Sequence, residues 1–592
     1  MKRVFVIFLV LILLFTAKAG PIDRQKALSI AQNFWASQVK TPATFLDVTA
    51  QTQFQGMYIF TTVDGGGFVI VAADDCAKPI LGYSRKGSFS TTDIPPAVSD
   101  WLIFYEQQIQ WAKTNGVTSA KTQNEWRAWL QPSGGAPKYA SSVEPLLTTT
   151  WSQRPWYNEM CPIDSTLYSG HPTTGCTATG MAQVMKYWNH PRHGYGSYSY
   201  SWEGVQPHWT YGTLSADFEN TFYDWENMTD ALDGNSTATQ VNAVAQLMSH
   251  VGISIQMSYN LYGEGSSDAP VALLEFTDSM YLDHTYCPEN ALPKFFGYKP
   301  TLRGLSRVGY ADTIWDNMLR EDISNGRPVL YGGFGIDPLT GVSNGGHCFV
   351  LDGYDQNGLF HVNWGWGGAY DAYFPTSALN VAGYSFSDRQ EALFGIEPDH
   401  SYLEMTESLN QLVLLSPNTL TTNFGFGIQN KGDSAFVGKL GIGVWDENQH
   451  FMGLMTQELV TINPSEEYYG PFCNIPYLPN LELNKTYKAV LLYGDTLPEY
   501  PVFETASDLN HVDFIVTNSG IEEQNGYCPV VAAQNSQILI KDEKMSPIMV
   551  YNTAGSMIYQ NATPQAETRI PVKTAGIYLV QVGSHTAKII IQ

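Results

Sequence analysis

The sequence predicts an α+β chain of several domains that ends in β-sandwich domains. Its 592 residues correspond to about three to five domains of ordinary size. Hydrophobic residues make up 44% of the chain and aromatic residues 13%, which is enough for packed cores and excludes a disordered polymer. After residue 400, short apolar runs alternate with Gly, Asn and Pro, a pattern typical of strands in a sandwich.

The charge of the chain argues against a nucleic acid partner. There are 32 Lys and Arg residues against 56 Asp and Glu residues, so the formal net charge is −24. A field of that sign repels a polyanion, and we find no local basic patch that offsets it. The 7 cysteines are spread thinly over the chain, which excludes a disulfide-rich scaffold.

Residues 1–19 form a predicted signal peptide. Lys2 and Arg3 precede an apolar run at 4–15, and small residues follow at Ala17 and Ala19. Such a run rises only about 18 Å as a helix, too short for a hydrocarbon core of about 30 Å. We therefore expect cleavage after Ala19 and an exported chain, secreted or at the cell surface, with no transmembrane anchor.

Four segments are predicted after the signal peptide. Segment 20–143 begins with apolar residues at helical spacing (27, 30, 31, 34 and 35), continues with strands near 57–60 and 67–72, and ends in a polar linker at 114–143 that is open to proteolysis. Segment 144–400 holds most of the Trp, His and Cys residues, 401–515 is a predicted β-sandwich (Ig-like), and 530–592 is a terminal β domain. Strands are predicted in the last two segments at 440–444, 488–493, 512–516, 538–540, 548–551, 576–582 and 587–591.

The first candidate for chemistry is a cysteine at the start of a predicted helix. In TTGCTATGMAQVMKYW, residues 173–188, apolar side chains recur at helical spacing, so a buried helix begins near Cys176. Thr173 and Thr174 are expected to cap it, and Gly175 to allow a sharp entry. The helix dipole lowers the pKa of a thiol at this position and favours the attacking thiolate. By itself the pattern also fits a small buried thiol in a core helix.

Two later motifs contain the residue types that a cysteine nucleophile needs. NGGHCFVLDGY, residues 344–354, places His347 at the mouth of a predicted strand, where it can take the thiol proton and return it to a leaving amine. LFHVNWGWGG, residues 359–368, ends a strand in Asn363 and Trp364. An Asn carbonyl that accepts from the imidazole fixes the tautomer of the ring, and a Trp shields that bond from water. Alone, each motif also fits a structural histidine or a turn with core tryptophans.

The chain order Cys, His, Asn is that of papain-like thiol peptidases, with His347 about 170 residues after Cys176. Upstream of the cysteine, Gln153 lies where its amide can donate to a developing oxyanion. The second donor would be the backbone N–H of Cys176. Together, the motifs point to acyl transfer through a thioester.

These motifs resemble the streptopain family of secreted bacterial cysteine peptidases, including its Bacteroidota members. An amino-terminal part resembles the inhibitory propeptide of that family, and the resemblance covers about residues 21–400. The matching stretches are TGCTAT at 174–179, QVMKY at 183–187, GHCFVLDGY at 346–354, HVNWGWGG at 361–368 and, in the propeptide, GGFVIVAADD at 66–75 and PILGY at 79–83.

The resemblance implies a zymogen whose catalytic domain, 144–400, has the papain-like fold and follows an α+β propeptide. It implies endopeptidase activity on proteins, the propeptide as an intramolecular inhibitor, maturation by cleavage in the linker, and no metal or organic cofactor. Cys348 departs from the pattern, because small apolar residues are also common there in the family. The implied roles are Cys176 as nucleophile, His347 as general base and acid, Gln153 in the oxyanion hole, and Asn363 with Trp364 behind the histidine.

The carboxyl end resembles the sorting domain that directs Bacteroidota proteins through the type IX secretion system. The match lies in VYNTAGSMI at 550–558, AGIYLVQV at 575–582 and KIII at 588–591. It implies transport across the outer membrane, with the type IX machinery as a partner. A plain terminal β domain is the alternative.

Three other function classes fit parts of the sequence. Cys161, His171, Cys176, His190 and His193 lie close together, but their spacings do not form the paired arrangement of a zinc site, and only His190 and His193 could bind a metal, weakly. The aromatic-rich carboxyl half fits a surface adhesin or glycan-binding protein, which leaves the three motifs unexplained. A transpeptidase or amidase would use the same nucleophile and base with another acyl acceptor. Peptide hydrolysis is favoured because water is the default acceptor.

Overall fold

The structure is a computed structural model, and most of the chain is described in it. Within the described part, no helix is both long and apolar enough to cross a bilayer. The predicted signal peptide lies outside the described residues apart from Ala19. The described residues are 19–39, 41–131, 139–203, 211–261, 267–272, 286–336, 343–379, 390–401, 403–405, 412–415, 421–432, 434–447, 450–470, 472–476, 478–482, 484–494, 511–515, 530–534, 537–542, 544–552, 557–572, 574, 576–582 and 585–591.

The amino-terminal unit, residues 19–131, combines three α-helices with four strands. Its first helix buries Ala27, Ile30, Ala31, Phe34 and Trp35, which confirms the predicted helix and its apolar face. The two predicted strands are also present. The elements are α1 (Arg24–Val39), β1 (Phe45–Asp47), a short 3₁₀ turn (Thr49–Gln51), β2 (Met57–Thr62), β3 (Phe68–Ala72), β4 (Ile80–Ser84), α2 (Pro96–Asn115) and α3 (Ala120–Trp129).

Part of the predicted linker is instead a packed helix, α3. Trp126 and Trp129 are both buried, and the indole N–H of Trp126 donates to the carbonyl of Ala77 at 2.7 Å. The ring of Trp129 lies 5.0 Å from that of Phe34. Prediction of an exposed segment over all of 114–143 was therefore wrong, because two tryptophans at helical spacing bury a face of the stretch. Residues 132–138 of the linker lie outside the described part.

In the middle unit, residues 139–401, the described residues form four helices and eight strands. The predicted helix near Cys176 begins at that residue. The elements are α4 (Cys176–Trp188), β5 (Ser197–Trp202), β6 (Gly212–Asp217), α5 (Ala238–Ser254), α6 (Pro288–Phe296), β7 (Arg303–Ser306), α7 (Asp312–Ser324), β8 (Val329–Ile336), β9 (Ser343–Tyr354), β10 (Phe360–Asn363), β11 (Ala372–Phe374) and β12 (Gln390–Phe394).

The amino-terminal and middle units share one ten-stranded sheet in the order β1-β2-β3-β4-β11-β10-β9-β8-β12-β7. The two halves join where Tyr83 of β4 pairs with Tyr373 of β11, and their rings stack at 5.0 Å. Helix α2 lies against the middle unit, because the ring of Trp101 is 5.6 Å from Phe349 and 6.1 Å from Trp364. The amino-terminal unit is thus packed against the middle unit at the sheet edge and through α2.

Two cores lie on opposite faces of this sheet. Side chains alternate along a strand, so Phe349 of β9 packs in the core that contains α2, while Cys348 and Val350 pack in the core that contains α4. The direction of a side chain on β9 therefore decides whether it meets the amino-terminal unit or the helix that begins with Cys176.

The carboxyl-terminal part consists of antiparallel strands. Strands were predicted correctly at each of the seven places where sequence analysis put them. Three sheets share a core that includes Leu403, Phe424 and Leu440, and two further sheets share one that includes Ile538 and Val580. The strands are β13 (Leu403–Met405), β14 (Val413–Leu415), β15 (Thr421–Gly425), β16 (Gly427–Asn430), β17 (Phe436–Trp445), β18 (Phe451–Ile462), β19 (Glu467–Tyr469), β20 (Phe472–Pro476), β21 (Thr486–Gly494), β22 (His511–Ile515), β23 (Val530–Gln534), β24 (Gln537–Lys541), β25 (Ile548–Asn552), β26 (Met557–Asn561), β27 (Glu567–Pro571), β28 (Gly576–Val582) and β29 (His585–Ile591).

Candidate active site

The chain enters α4 through a left-handed glycine. Gly175 has φ of 88°, and a Cβ there would lie 2.6 Å from Sδ of Met257, so both conformation and space require glycine. The expected threonine cap is not formed, because the N-cap is Gly175 and no side chain caps the helix. Thr174 Oγ1 is instead 2.8 Å from Thr179 Oγ1. Cys176 thus occupies the first position of α4.

The thiol of Cys176 is half-buried beside β9. The backbone N–H of Cys348 donates to its Sγ at 3.3 Å. Burial, with the carboxylate of Asp268 as the next cause, raises the pKa of the thiol to about 11, although the Cys348 N–H lowers it. The expectation of a lowered pKa at this thiol is therefore wrong for this structure, in which burial is the largest cause and raises the pKa.

His347 lies next to Cys348 on β9, yet its side chain binds the amino-terminal unit. Its Nε2 is 2.9 Å from Oδ2 of Asp100 on α2, and each of these two side chains is 17% exposed. The residue is paired with Gly333 of β8 and lies on the β9 face that carries Phe349. The structure therefore places the backbone of His347 next to the residue that contacts the Cys176 thiol, while the imidazole lies on a carboxylate from another unit.

Asn363 is engaged by α4 rather than by the histidine. Its Oδ1 accepts from Nε2 of Gln183 at 3.0 Å and from the N–H of Gly365 at 3.1 Å. Its Nδ2 donates to the carbonyl of Thr149 at 2.8 Å. Because the imidazole of His347 lies on Asp100, the expected bond between His347 and Asn363 is not among the hydrogen bonds of the described residues.

Trp364 is fully buried behind the site. Its backbone N–H donates to Oδ1 of Asp371 at 3.0 Å and its indole N–H to the carbonyl of Tyr370 at 3.1 Å. The ring lies 4.8 Å from that of Phe349, two residues after the histidine. Trp364 therefore packs against β9 and against Trp101 of α2.

Gln153 is joined to the segment that leads into α4. Its carbonyl accepts from the N–H of Thr174 at 3.3 Å, and the residue is buried. This bond holds the backbone of Gln153 close to the turn that ends at Cys176. The role of its side-chain amide as an oxyanion donor stays a prediction.

Sequence reasoning missed Asp100 and Gln183. Asp100 lies in α2 with no motif around it, and 247 residues separate it from its partner. Gln183 was part of a recognised motif, and its spacing from Cys176, two turns along the same helix, was the available signal. Its Oε1 also accepts from Thr149 Oγ1 at 3.0 Å, so the side chain organises both sides of the cleft.

The histidines of the metal alternative have backbone partners. His171 Nδ1 is 2.8 Å from the carbonyl of Cys161, His190 Nε2 is 3.0 Å from that of Gly297, and His193 Nδ1 is 2.8 Å from that of Gly194. Across the described ranges, no group of three or more His, Cys, Asp or Glu side chains is arranged to hold a metal ion.

Two parts of the chain match models of known protein families. The peptidase C10 family matches residues 151–374, and the Spi protease inhibitor family matches residues 19–109. These ranges contain Cys176 and His347 in the first case and Asp100 in the second. The chain thus contains a region that matches a protease inhibitor family, followed by a region that matches a peptidase family.

Individual relatives agree with the family models. The thiol protease/hemagglutinin PrtT of Porphyromonas gingivalis is 30% identical over 422 residues, which are 67% of this chain and 44% of that protein. This chain therefore spans less than half of that relative. Streptopain of Streptococcus pyogenes is 30% identical over 353 residues, which are 58% of this chain and 81% of that protein.

Among solved structures, a fragment of Prevotella intermedia prointerpain A is 32% identical, with a TM-score of 0.47, and the match covers 60% of this chain and 100% of that chain. Active interpain A of the same species is 36% identical, with a TM-score of 0.36, over 44% of this chain and 97% of that chain. The identity to streptopain over most of its length, with the two family models, leads to one conclusion: the chain belongs to the peptidase C10 family of cysteine proteases and carries a Spi-type inhibitor domain.

Proposed function

We propose that the protein is a secreted cysteine endopeptidase made as a zymogen, with Cys176 as nucleophile and His347 as general base and acid. The observation that carries the proposal is the arrangement around Cys176. The thiol begins α4 and accepts a hydrogen bond from the residue that follows His347. The imidazole of His347 is held by Asp100 of the inhibitor-like unit. A nucleophile, a base and a device that keeps them apart are thus present in one chain.

In the proposed mechanism, release of α2 frees His347 to turn from Asp100 towards Cys176. The imidazole takes the thiol proton, and the thiolate attacks the peptide carbonyl. The Gln153 amide and the Cys176 N–H hold the oxyanion. His347 then protonates the leaving amine, and water hydrolyses the thioester with His347 as base. Asn363 would accept from the turned imidazole with Trp364 behind it.

Latency follows from the same contacts. While Asp100 binds the imidazole, His347 is engaged away from the thiol, whose pKa is raised to about 11 by burial. A thiol with that pKa is almost entirely protonated near neutral pH, so it is a poor nucleophile. Maturation by cleavage in the linker would remove α2 and the carboxylate that it carries.

We also propose the export route and the domain boundaries. They are a signal peptide at 1–19, propeptide and linker at 20–143, a papain-like domain at 144–400, a β-sandwich at 401–515 and a type IX sorting domain at 530–592. The antiparallel sheets with shared cores support the last two. Deleting the residues after 530 should trap the protein in the periplasm, whereas unchanged secretion would refute the sorting proposal.

Casein hydrolysis under reducing conditions tests the enzymatic proposal. Wild type is compared with Cys176→Ala, and linker processing is followed on a gel in the same tubes. Digestion by wild type alone is the expected result, and a Cys176→Ala chain that stays full length would show that maturation is self-catalysed. If wild type, freed of 20–143 by an added protease, digests nothing and resists a thiol-directed epoxide, the assignment of Cys176 is wrong.

A further inference from the structure

A recess next to Cys176 carries two acidic side chains in its walls. The recess is partly open to solvent. All of its described lining residues belong to the middle unit, so loss of the amino-terminal unit removes none of these. The lining residues that matter here are Cys176, Asp268, Gly332, Gly333, His347 and Glu391.

Glu391 forms a buried wall of this recess. It lies on β12 opposite Gly332 of β8, and it is only 3% exposed. A Cβ on Gly332 would lie 2.7 Å from Cγ of Glu391, so the glycine makes room for the carboxylate. A Cβ on Gly333 would meet no atom within 4 Å, which shows open space beside the neighbouring lining residue.

One oxygen of the Glu391 carboxyl group is buried without a donor. Within the described part of the chain, Oε2 has no hydrogen-bond partner. Burial, together with the carboxylates of Glu289 and Asp268, raises the pKa of Glu391 to about 8, although the N–H of Val271 lowers it. A buried carboxyl oxygen without a donor is costly, and a cationic ligand would supply the donor and favour the charged form.

We propose that this recess binds a Lys or Arg side chain of the peptide substrate, next to the bond that is cleaved, and that Glu391 is its charge partner. This inference rests on the proposed function and adds a substrate class to it. No Lys or Arg is among the described residues that line the recess, while Asp268 adds a second carboxylate at the mouth. A guanidinium suits the site because it stays ionised and offers several donors in a plane.

The test uses the full chain after activation and a mixture of peptides with varied sequences, whose cleavage products are identified by mass spectrometry. We expect Lys and Arg to be enriched at one fixed position relative to the cut bond. At that position, Glu391→Gln should lower the ratio of kcat/KM for Arg to kcat/KM for norleucine by about tenfold or more, because the amide keeps an acceptor oxygen but loses the negative charge that faces the cation. Because the same catalytic groups act on both substrates, the effect of their ionisation on kcat/KM cancels in this ratio.

Glu321→Gln is the matched control, because it removes one negative charge from the exposed face of α7 and should leave the ratio unchanged. If Glu391→Gln fails to fold, Asp268→Asn should still lower the ratio. An uncleaved Arg peptide should also slow epoxide labelling of wild-type Cys176 more than its norleucine counterpart. The inference is overturned if wild type shows no preference for Lys or Arg at any position, or if Glu391→Gln leaves that preference unchanged. Peptide cleavage by wild type would still support the proposed function in either case. Absence of any cleavage by wild type overturns both.

Discussion

Replacing Asp100 by alanine should make the zymogen process itself faster. The carboxylate of Asp100 is the described partner of the His347 imidazole, and the contact of 2.9 Å joins two side chains that are each 17% exposed. A hydrogen bond to a charged group contributes about 1.5–3 kcal/mol. Its loss should raise the ratio of free to held imidazole by about 10- to 150-fold. The rate of the first self-cleavage should rise in proportion, until another step becomes limiting.

The assay follows purified full-length chain on a gel in reducing buffer, at a dilution where cleavage between molecules is slow. A thiol-directed epoxide added at time zero counts active sites before any cleavage has occurred. Glu106→Gln is the matched control. It also removes a charge from α2, but Glu106 accepts from the backbone N–H groups of Gln55 and Gly56 within its own unit.

Asp100→Asn should give an intermediate rate, because an amide oxygen still accepts a hydrogen bond but carries no charge. The reasoning would be refuted by an Asp100→Ala chain that is processed at the wild-type rate and takes up epoxide no faster. In that case burial of the cleft by the amino-terminal unit, rather than the hold on His347, would account for latency.

Three further predictions concern the same state of the protein. The maturation bond should lie after α3, between Gln131 and Val143, because the buried tryptophans of α3 hold that helix against the rest of the unit. Amino-terminal sequencing of the mature form checks this prediction, and cleavage inside α3 would contradict it. Trp101→Ala should weaken the docking of α2 by about 3–5 kcal/mol and speed processing, because the indole packs between aromatic rings of the middle unit. An unchanged processing rate would show that this packing has no part in latency. The raised pKa of Cys176 favours the neutral thiol, so about one in a thousand of these residues should be a thiolate in the zymogen at pH 8. The rate of iodoacetamide labelling at Cys176 should therefore rise about tenfold per pH unit up to pH 11. A labelling rate that levels off below pH 9 would contradict the assigned environment.

Local patterns were sufficient for much of the fold. The helix that begins at Cys176 and the strand that carries His347 were predicted because apolar periodicity and glycine positions are properties of short stretches. The same reasoning failed at α3, where a polar composition hid two tryptophans that are buried against α1 and the Ala77 carbonyl. Composition describes the average of a stretch, whereas burial depends on which face meets a neighbour.

Long-range pairing decided the state of the candidate site. No local signal connects His347 with Asp100, which lies 247 residues earlier, or Asn363 with Gln183, which lies 180 residues earlier. Both pairs form because β9 and β10 lie between α2 on one face of the sheet and α4 on the other. A side chain's partner is then set by the face on which it emerges.

The sequence alone determined the residue types proposed for thiol chemistry, their order and the helix that begins at Cys176, because each is encoded in a short motif. Tertiary structure decided what those residues contact: it brought a carboxylate of the amino-terminal unit onto the imidazole of His347, raised the pKa of the Cys176 thiol by burial, and placed Glu391 opposite Gly332 in the recess beside Cys176. The physical reason is that hydrogen bonds, desolvation and cavities depend on distances between strands and helices that are remote in the chain, and periodicity carries no information about those distances.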